Sequence, residues 1–480
     1  MMRGSARWLL PLCAALLGAG CAVGPAYQRP ALELPAAYPE EMNTAGPRVA
    51  IGPEWWKLYN DPLLDELVAA TLARNVELRI AVAQIEEAEG VVRETSAAVL
   101  PEIDVGGNSN RTASSSATAL PSPAGVPTVR NNHRFTFSTT FELDFWGKFR
   151  SASDAAQARL LSTRYARDVV LLTLASTTTQ TYFALRSLDA QIAVTRTSLE
   201  SRDASLTIVR DRVNAGYASD LDLAQANLSR AQAGALLRDL QRQRALLEHQ
   251  LQTLTARLEL RLPAGNALDV PTPALPPPDL PSTLVERRPD VAVAEQNLIS
   301  ANAQIGVARA AQFPTFSLTG FLGGESDSLT SILTNPARIW SVGLGVLFPV
   351  FDAGKYAART AEAEARQRQA LANYRKTVEI AFREVADALA NIRQSVAAEG
   401  DLNAAALAAR DALRIAQVRY TAGYSAYLDV LDAQRNVNDA ELALARNRQA
   451  QLTYTVDLIK ATGGGWSPQP LAAASVPSGR

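Results

Sequence analysis

The chain has 480 residues, a formal net charge of −1 from 47 Lys and Arg against 48 Asp and Glu, two histidines and two cysteines. Balanced charge removes the basic footprint that nucleic-acid binding needs. His133 and His249 have no cysteine companions, so no zinc site is expected, and one cysteine outside the N-terminal leader leaves no internal disulfide.

In chain order, Arg3 and Arg7, the apolar run Trp8 to Leu17 and the small residues Gly18, Ala19 and Gly20 have the layout of a signal peptide over residues 1–20. Cys21 follows directly, as in a bacterial lipoprotein signal, although Gly18 stands where such signals usually carry Leu. Acylation of Cys21 is therefore expected, and Ala22 after it favours the outer membrane. Residues 21–62 are rich in Pro and Ala without periodicity and read as a tether leading into Trp55-Trp56 and Asp61-Pro62. A helix is predicted from about 63 to 99, stopped by Leu100-Pro101. Strands are predicted at about 102–111 and 133–145. In the second, Phe135, Phe137, Thr139, Phe141, Leu143 and Phe145 alternate with Thr136, Ser138, Thr140, Glu142 and Asp144. From 149 to 213 there is no proline, and Leu174, Thr178, Leu185, Leu188, Ile192, Thr195, Leu199, Arg202, Leu206 and Val209 keep three-four spacing, which predicts coiled-coil packing. A turn at 214–220 follows, with Asp220 as the expected cap of a return helix.

A proline-dense stretch, 262–285, separates this first repeat (63–261) from a second (286–462). The second has strands at about 315–323 and 339–349, another long helix, a turn at 421–427 and a return helix; 463–480 is a tail. The two units are copies. Val213 to Asp222 returns as Tyr420 to Asp429 and Gly147-Lys148 as Gly354-Lys355; both shifts are 423 − 216 = 354 − 147 = 207. One spacing kept by two landmarks means duplication.

After the leader no run of about twenty apolar residues occurs, so any passage through a membrane must use strands. Strands of about ten residues can span a bilayer, but a spanning sheet must close, and single-chain barrels begin at about eight strands. Four strands per chain therefore imply that several copies pool theirs; the alternative is a small soluble sheet beside a helical domain.

Several segments carry a family resemblance: Ala22-Val23-Gly24-Pro25, Trp55-Trp56 with Asp61-Pro62, Arg288-Pro289-Asp290, Ala303 to Pro314, Leu428 to Arg435, and Gly463-Gly464-Gly465-Trp466. They span nearly the whole mature chain in order. The chain resembles an outer membrane factor of the TolC/OprM type, in the lipoprotein branch that serves resistance-nodulation-division (RND) pumps. The resemblance implies a mainly α fold with a membrane β-barrel: a homotrimer with a twelve-stranded barrel on a long periplasmic α-helical barrel, belted by the segments near 51–75 and 262–285 and by the tail. It further implies a gated exit duct for small molecules, working with a periplasmic adaptor (membrane fusion) protein and an inner-membrane RND-type transporter, and embedded in outer membrane lipid.

By the same resemblance Leu428, Asp432 and Arg435 match the periplasmic gate. Their i, i+4, i+7 spacing puts them on one helix face, and the first repeat has Gln225 and Leu228 at the positions matching Asp432 and Arg435. The tips Gly216, Tyr217, Ala218, Ser219, Gly423, Tyr424, Ser425, Ala426 and Tyr427 are the expected adaptor-docking residues. No catalytic residue, metal or cofactor is expected. Gly463-Gly464-Gly465 follows a helix where a phosphate loop would open one. Alternatives are a protein-export (type I secretion) duct, a structural coiled-coil outer membrane lipoprotein, and a general diffusion porin.

Overall fold

The structure is a computed structural model that describes residues 23–32, 35, 38, 51–115, 117, 125–266, 269–273 and 286–467. The expected signal peptide and the acylation of Cys21 lie outside these residues, as do parts of the expected tether, proline-rich linker and tail.

A 3-10 turn, Trp55–Tyr59, leads into α1, Pro62–Arg74, and α2, Val76–Ala97. Strands β1, Glu102–Ala113, and β2, Val129–Leu143, precede the long helix α3, Lys148–Asn214, and its return α4, Asp220–Leu254. The second repeat consists of α5, Pro289–Ala310, β3, Thr315–Ser326, β4, Arg338–Leu347, α6, Lys355–Thr421, and α7, Tyr427–Ala461. The long hairpins match residue for residue: 355 − 148, 421 − 214, 427 − 220 and 461 − 254 are all 207. The leading helix and strand of each repeat carry a different shift, since 289 − 76, 310 − 97, 315 − 102 and 326 − 113 are all 213. The difference, 213 − 207 = 6, is taken up after β1, where the first repeat spends more residues before its long helix.

The single helix predicted over 63–99 is two helices. Asn75 breaks it: its backbone is extended (φ −61°, ψ 136°), its Oδ1 accepts from Glu77 N at 2.8 Å, and its Nδ2 donates to the Leu254 carbonyl at 2.9 Å. The long return helix is capped by Ser219 and not by Asp220. Ser219 Oγ accepts from Asp222 N at 3.2 Å while Asp222 Oδ2 accepts from Ser219 N at 3.0 Å, a reciprocal box that satisfies two end donors.

The chain divides into two compact units, each drawing on both repeats. The first (residues 1–31, 84–163 and 294–374) holds the sheet. Its four strands form an antiparallel meander, β1-β2-β3-β4. The registers Val105↔Phe137, Phe137↔Leu322 and Leu322↔Trp340 place Ile103, Val105, Phe135, Phe137, Leu322, Trp340, Val342 and Leu344 on one apolar face. Asp104, Asn108, Thr136, Ser138, Thr140, Ser317, Thr319 and Ser341 lie on the other. Period-two side chains sort the faces, and the register holds the sorting across all four strands. Residues 23–29 are tied to the same unit through Asn302 Nδ2 to the Pro25 carbonyl (2.8 Å) and a two-pronged Arg29–Glu295 pair (2.8 and 2.6 Å).

The second unit (32–83, 164–293 and 375–480) holds the largest apolar core, built around Trp55, Trp56, Tyr59, Leu64, Leu67, Phe183, Leu251 and Val456. The motif residues of the sequence do structural work here. Asp61 caps α1 through Leu63 N and Leu64 N and accepts from the Tyr182 hydroxyl. Buried Arg288 bonds Asp290, Glu384 and the Ala461 carbonyl, holding the end of α7. Gly463 has φ 93°, and a Cβ there would overlap the Arg287 carbonyl oxygen, so only glycine fits. Trp466 Nε1 donates to Asp168 at 2.9 Å.

Among the described residues no helix is long and apolar enough to cross a membrane, and no group of three or more His, Cys, Asp and Glu could hold a metal. His133 shares a hydrogen bond with Ser109 at 2.8 Å across β1 and β2, and His249 is exposed on α4.

Candidate functional site: the paired hairpin tips

Both long hairpins turn through one geometry. At the end of α3, Gly216 N bonds the Val213 carbonyl at 3.0 Å and Tyr217 N bonds the Arg212 carbonyl at 2.7 Å. At the end of α6, Gly423 N bonds Tyr420 O at 3.0 Å and Tyr424 N bonds Arg419 O at 2.8 Å. These are paired Schellman turns, and they demand a left-handed residue at the hinge; Gly216 and Gly423 supply it with φ 78° and 83°. Tyr217 and Ser219 in one tip, and Tyr424 and Ala426 in the other, are exposed; Ala218 and Ser425 are half-buried and Tyr427 buried.

The two tips pack on each other within the second unit. Leu206, Val209, Ala226, Tyr427, Val430 and Leu431 form one buried cluster joined by Val213, Leu223, Leu413 and Tyr420. Arg212 spans the pair: its guanidinium lies 4.7 Å from the Tyr420 ring centroid and its Nη1 donates to the Tyr420 carbonyl at 2.7 Å. Tyr420 and Tyr427 rings are 5.3 Å apart. Burial, then the neighbouring Tyr420, pushes the Tyr427 hydroxyl up to about 12, so it stays protonated at neutral pH.

Helix α7 has two opposed faces here. Tyr427, Val430, Leu431, Gln434 and Asn438 are buried, while Leu428, Asp432, Arg435 and Asp439 are exposed. Leu428, Asp432 and Arg435 therefore form one outward stripe. Arg435 Nη1 is 3.5 Å from Asp432 Oδ1, with the side chains 65% and 57% exposed. Such an exposed i, i+3 pair contributes only a few tenths of a kcal/mol.

Behind the stripe lies a polar seam that sequence reasoning did not assign to the site. Gln434 Nε2 donates to Ser205 Oγ at 2.9 Å and reaches Ser201 Oγ at 3.4 Å. Buried Arg202 donates from Nη1 to the Ser229 carbonyl at 2.8 Å, and its Nε has no partner among the described residues. Burial, then the positive charge of Arg435, lowers its pKa, with Asp439 opposing. The signal was present in the spacing: Arg202 occupies a heptad position otherwise held by apolar and small residues. Gln434 and Asn438 continue the i, i+4 row of Val430. Polar groups in a buried row are the ones whose partners need accounting for.

Comparison with known proteins accords with this architecture. A family model described as outer membrane efflux protein matches residues 67–257 and 280–464. The solvent efflux pump outer membrane protein SrpC of Pseudomonas putida is 33% identical over 475 residues, covering 95% of this chain and 98% of that protein. The cation efflux system protein CusC of Escherichia coli O6:H1 is 31% identical over 468 residues, with 95% and 98% covered. The crystal structure of the open state of the MtrE outer membrane channel of Neisseria gonorrhoeae superposes with a TM-score of 0.82 at 29% identity, covering 93% of this chain and 98% of that one.

Proposed function

The chain belongs to the outer membrane efflux protein family, and from that premise we propose that it is the trimeric exit duct of an RND-type pump, gated by its own last hairpin. It is an outer membrane efflux channel with the TolC-like fold. Three copies would close a twelve-stranded barrel, with the apolar face toward lipid and the polar face lining the pore. Cys21 carries the lipid anchor, and the segments near 51–75 and 262–285 with the tail form the belt. A periplasmic adaptor docks on the tips at Gly216 to Ser219 and Gly423 to Tyr427, and an inner-membrane transporter supplies the energy for small-molecule export.

The observation that carries the gate is the outward stripe Leu428, Asp432 and Arg435 on α7, fixed in direction by the buried row on the opposite face. A few tenths of a kcal/mol from the Asp432–Arg435 pair changes an equilibrium by only about twofold. A latch strong enough to keep a duct shut must therefore use these groups between copies, where several charge-assisted bonds form a ring. An adaptor opens it only through tighter binding to the open state. Asp432→Ala is expected to raise single-channel conductance in a planar bilayer well beyond twofold, with the trimer intact by mass in detergent. Wild-type conductance from a well-folded Asp432→Ala trimer would remove the latch from these residues.

A further inference from the structure

The polar face of the sheet carries opposite charges at its two ends. All four strands meet helices at one end: β1 follows α2, β2 leads into α3, β3 follows α5 and β4 leads into α6. The β1–β2 and β3–β4 connections lie at the other end. Near the helices the polar face presents Glu102 and Asp104, in register with Thr140 and Ser138, and Glu142, which Lys148 Nζ pairs at 3.0 Å. Near the connections it presents Arg130 and Arg134, in register with Thr112 and Asn108. The levels of Thr112 and Glu102 are 112 − 102 = 10 residues apart on β1, roughly 34 Å along the strand. On β4 the same face adds Ser341, Gly343 and Gly345, which carry no charge.

We propose that Arg130 and Arg134 form an anion-binding ring at the outer mouth of the lumen, a site for solutes that carry several phosphate or carboxylate groups. The proposal rests on the oligomeric duct above, in which the polar face lines the pore and the helices occupy the periplasmic end.

Three observations support the ring. Both arginines are exposed, so their charge is available to a solute. Second, the carboxylate placed to neutralise Arg134 is engaged elsewhere. Glu325 stands opposite Arg134 in register, yet its Oε1 accepts from Asn132 Nδ2 at 2.8 Å. The Arg134 guanidinium lies 4.8 Å from the Phe321 ring centroid instead. Gly323, between Glu325 and Phe321 on the same face, puts no side chain in that path. A ring contact orients a guanidinium without cancelling its charge or consuming its N–H donors, the groups that grip an oxyanion in charge-assisted bonds. Third, the arrangement multiplies on assembly. Each copy brings two arginines and one glutamate to this level, and rotation about a common axis repeats that excess around one narrow passage. On an open surface such charges are screened within about 10 Å at about 0.1 M salt, whereas a lumen walled by sheet focuses their field. An anionic solute leaving the duct is therefore drawn past the uncharged stretch toward the exit, and a polyanion arriving from outside meets the ring first.

The test is single-channel recording of the full-length protein in a planar bilayer, with the trimer verified by mass and inorganic tripolyphosphate added to one chamber at a time. The expected result is block from one side only, weakening as salt rises. In Arg130→Gln/Arg134→Gln the half-blocking concentration should rise by about tenfold or more at about 0.1 M salt. Arg130→Lys/Arg134→Lys keeps the charge and should keep most of the block. Arg111→Gln removes a positive charge from the same end of β1 but from the opposite face of the sheet, and should block like wild type. A conducting trimer that tripolyphosphate does not block, or blocks equally well in the Gln pair, overturns the ring while leaving the duct. A loss in Arg111→Gln as large as in the Gln pair also overturns it, because the effect would then belong to surface charge at large. A verified trimer that never conducts overturns the duct reading itself, and the ring with it.

Discussion

Two carboxylates in the helical unit lie in opposite environments and predict opposite outcomes. Asp189 is buried and accepts from Arg244 Nε at 2.6 Å, Arg186 Nη1 at 3.3 Å and the Gly265 backbone N at 3.0 Å. Arg244 also donates to the Leu262 carbonyl and Arg186 to Pro263 O, so the carboxylate pins the segment after α4 to the long hairpin. Asp189→Ala would leave buried Arg186 without its carboxylate and Arg244 with only Glu248 at 3.6 Å, and is expected to cost about 3 kcal/mol, read as a large fall in Tm. Asp457 is different. Burial raises its pKa above the ordinary 3.8, and Gln180 Nε2, donating to Oδ1 at 2.6 Å, only partly offsets that. With the folded pKa raised, the native carboxyl keeps its proton to higher pH than the unfolded one. Its contribution is most favourable below 3.8 and is lost as pH rises through the folded value. Asp457→Asn keeps an acceptor for Gln180 and carries no charge. It is expected to match wild type near about pH 3 and to have the higher Tm at about pH 7. Equal Tm values at both pH values would show that Asp457 is solvated in the assembled protein.

At the scale of elements, the duplication predicts its own repair. Ser219 and Asp222 box the start of α4, and the same shift of 207 lands on Ala426 and Asp429 at the start of α7. Ala426 has the extended backbone of a cap (φ −72°, ψ 156°) but no side chain to accept from the helix. Ala426→Ser is therefore expected to complete the box and stabilise the tip by roughly 0.5–1 kcal/mol, while Ser219→Ala should lose a similar amount. Hydrogen exchange of the first-turn amides of α7 and α4 would read the two effects separately. The cap is also where the sequence misled, since Ser219 and Asp220 are both good cap residues and only the partner three positions on, Asp222, decides between them. The break at Asn75 was invisible for a related reason: its anchor is the Leu254 carbonyl, far along the chain. Strand positions and the long helices were legible because period-two and heptad patterns are local. The network around Asp189 was not, because its donors come from Arg244 and Gly265.

For the whole molecule, the sheet's sidedness decides where it can reside. Its apolar face combines Ile103, Val105, Phe137, Leu322, Trp340, Val342 and Leu344, large side chains that are all exposed in the single chain. A contiguous apolar surface of this kind is stable against hydrocarbon or another copy, and costly against water. The alternation of β2 already showed this face, and the registers extend it across four strands. Tryptophan provides a direct test. Trp55 and Trp56 are buried in the helical unit, Trp146 is stacked on Phe313, and Trp466 is bonded to Asp168. Trp340 is 71% exposed on the apolar face. In vesicles of brominated phospholipid, tryptophan emission of the assembled protein is expected to be partly quenched, and Trp340→Phe should abolish the quenchable fraction while leaving the rest unchanged. Quenching that survives Trp340→Phe would mean that the apolar face of β4 does not meet lipid. The sheet would then be covered by protein there, since a face of leucine, valine and tryptophan cannot be left against water.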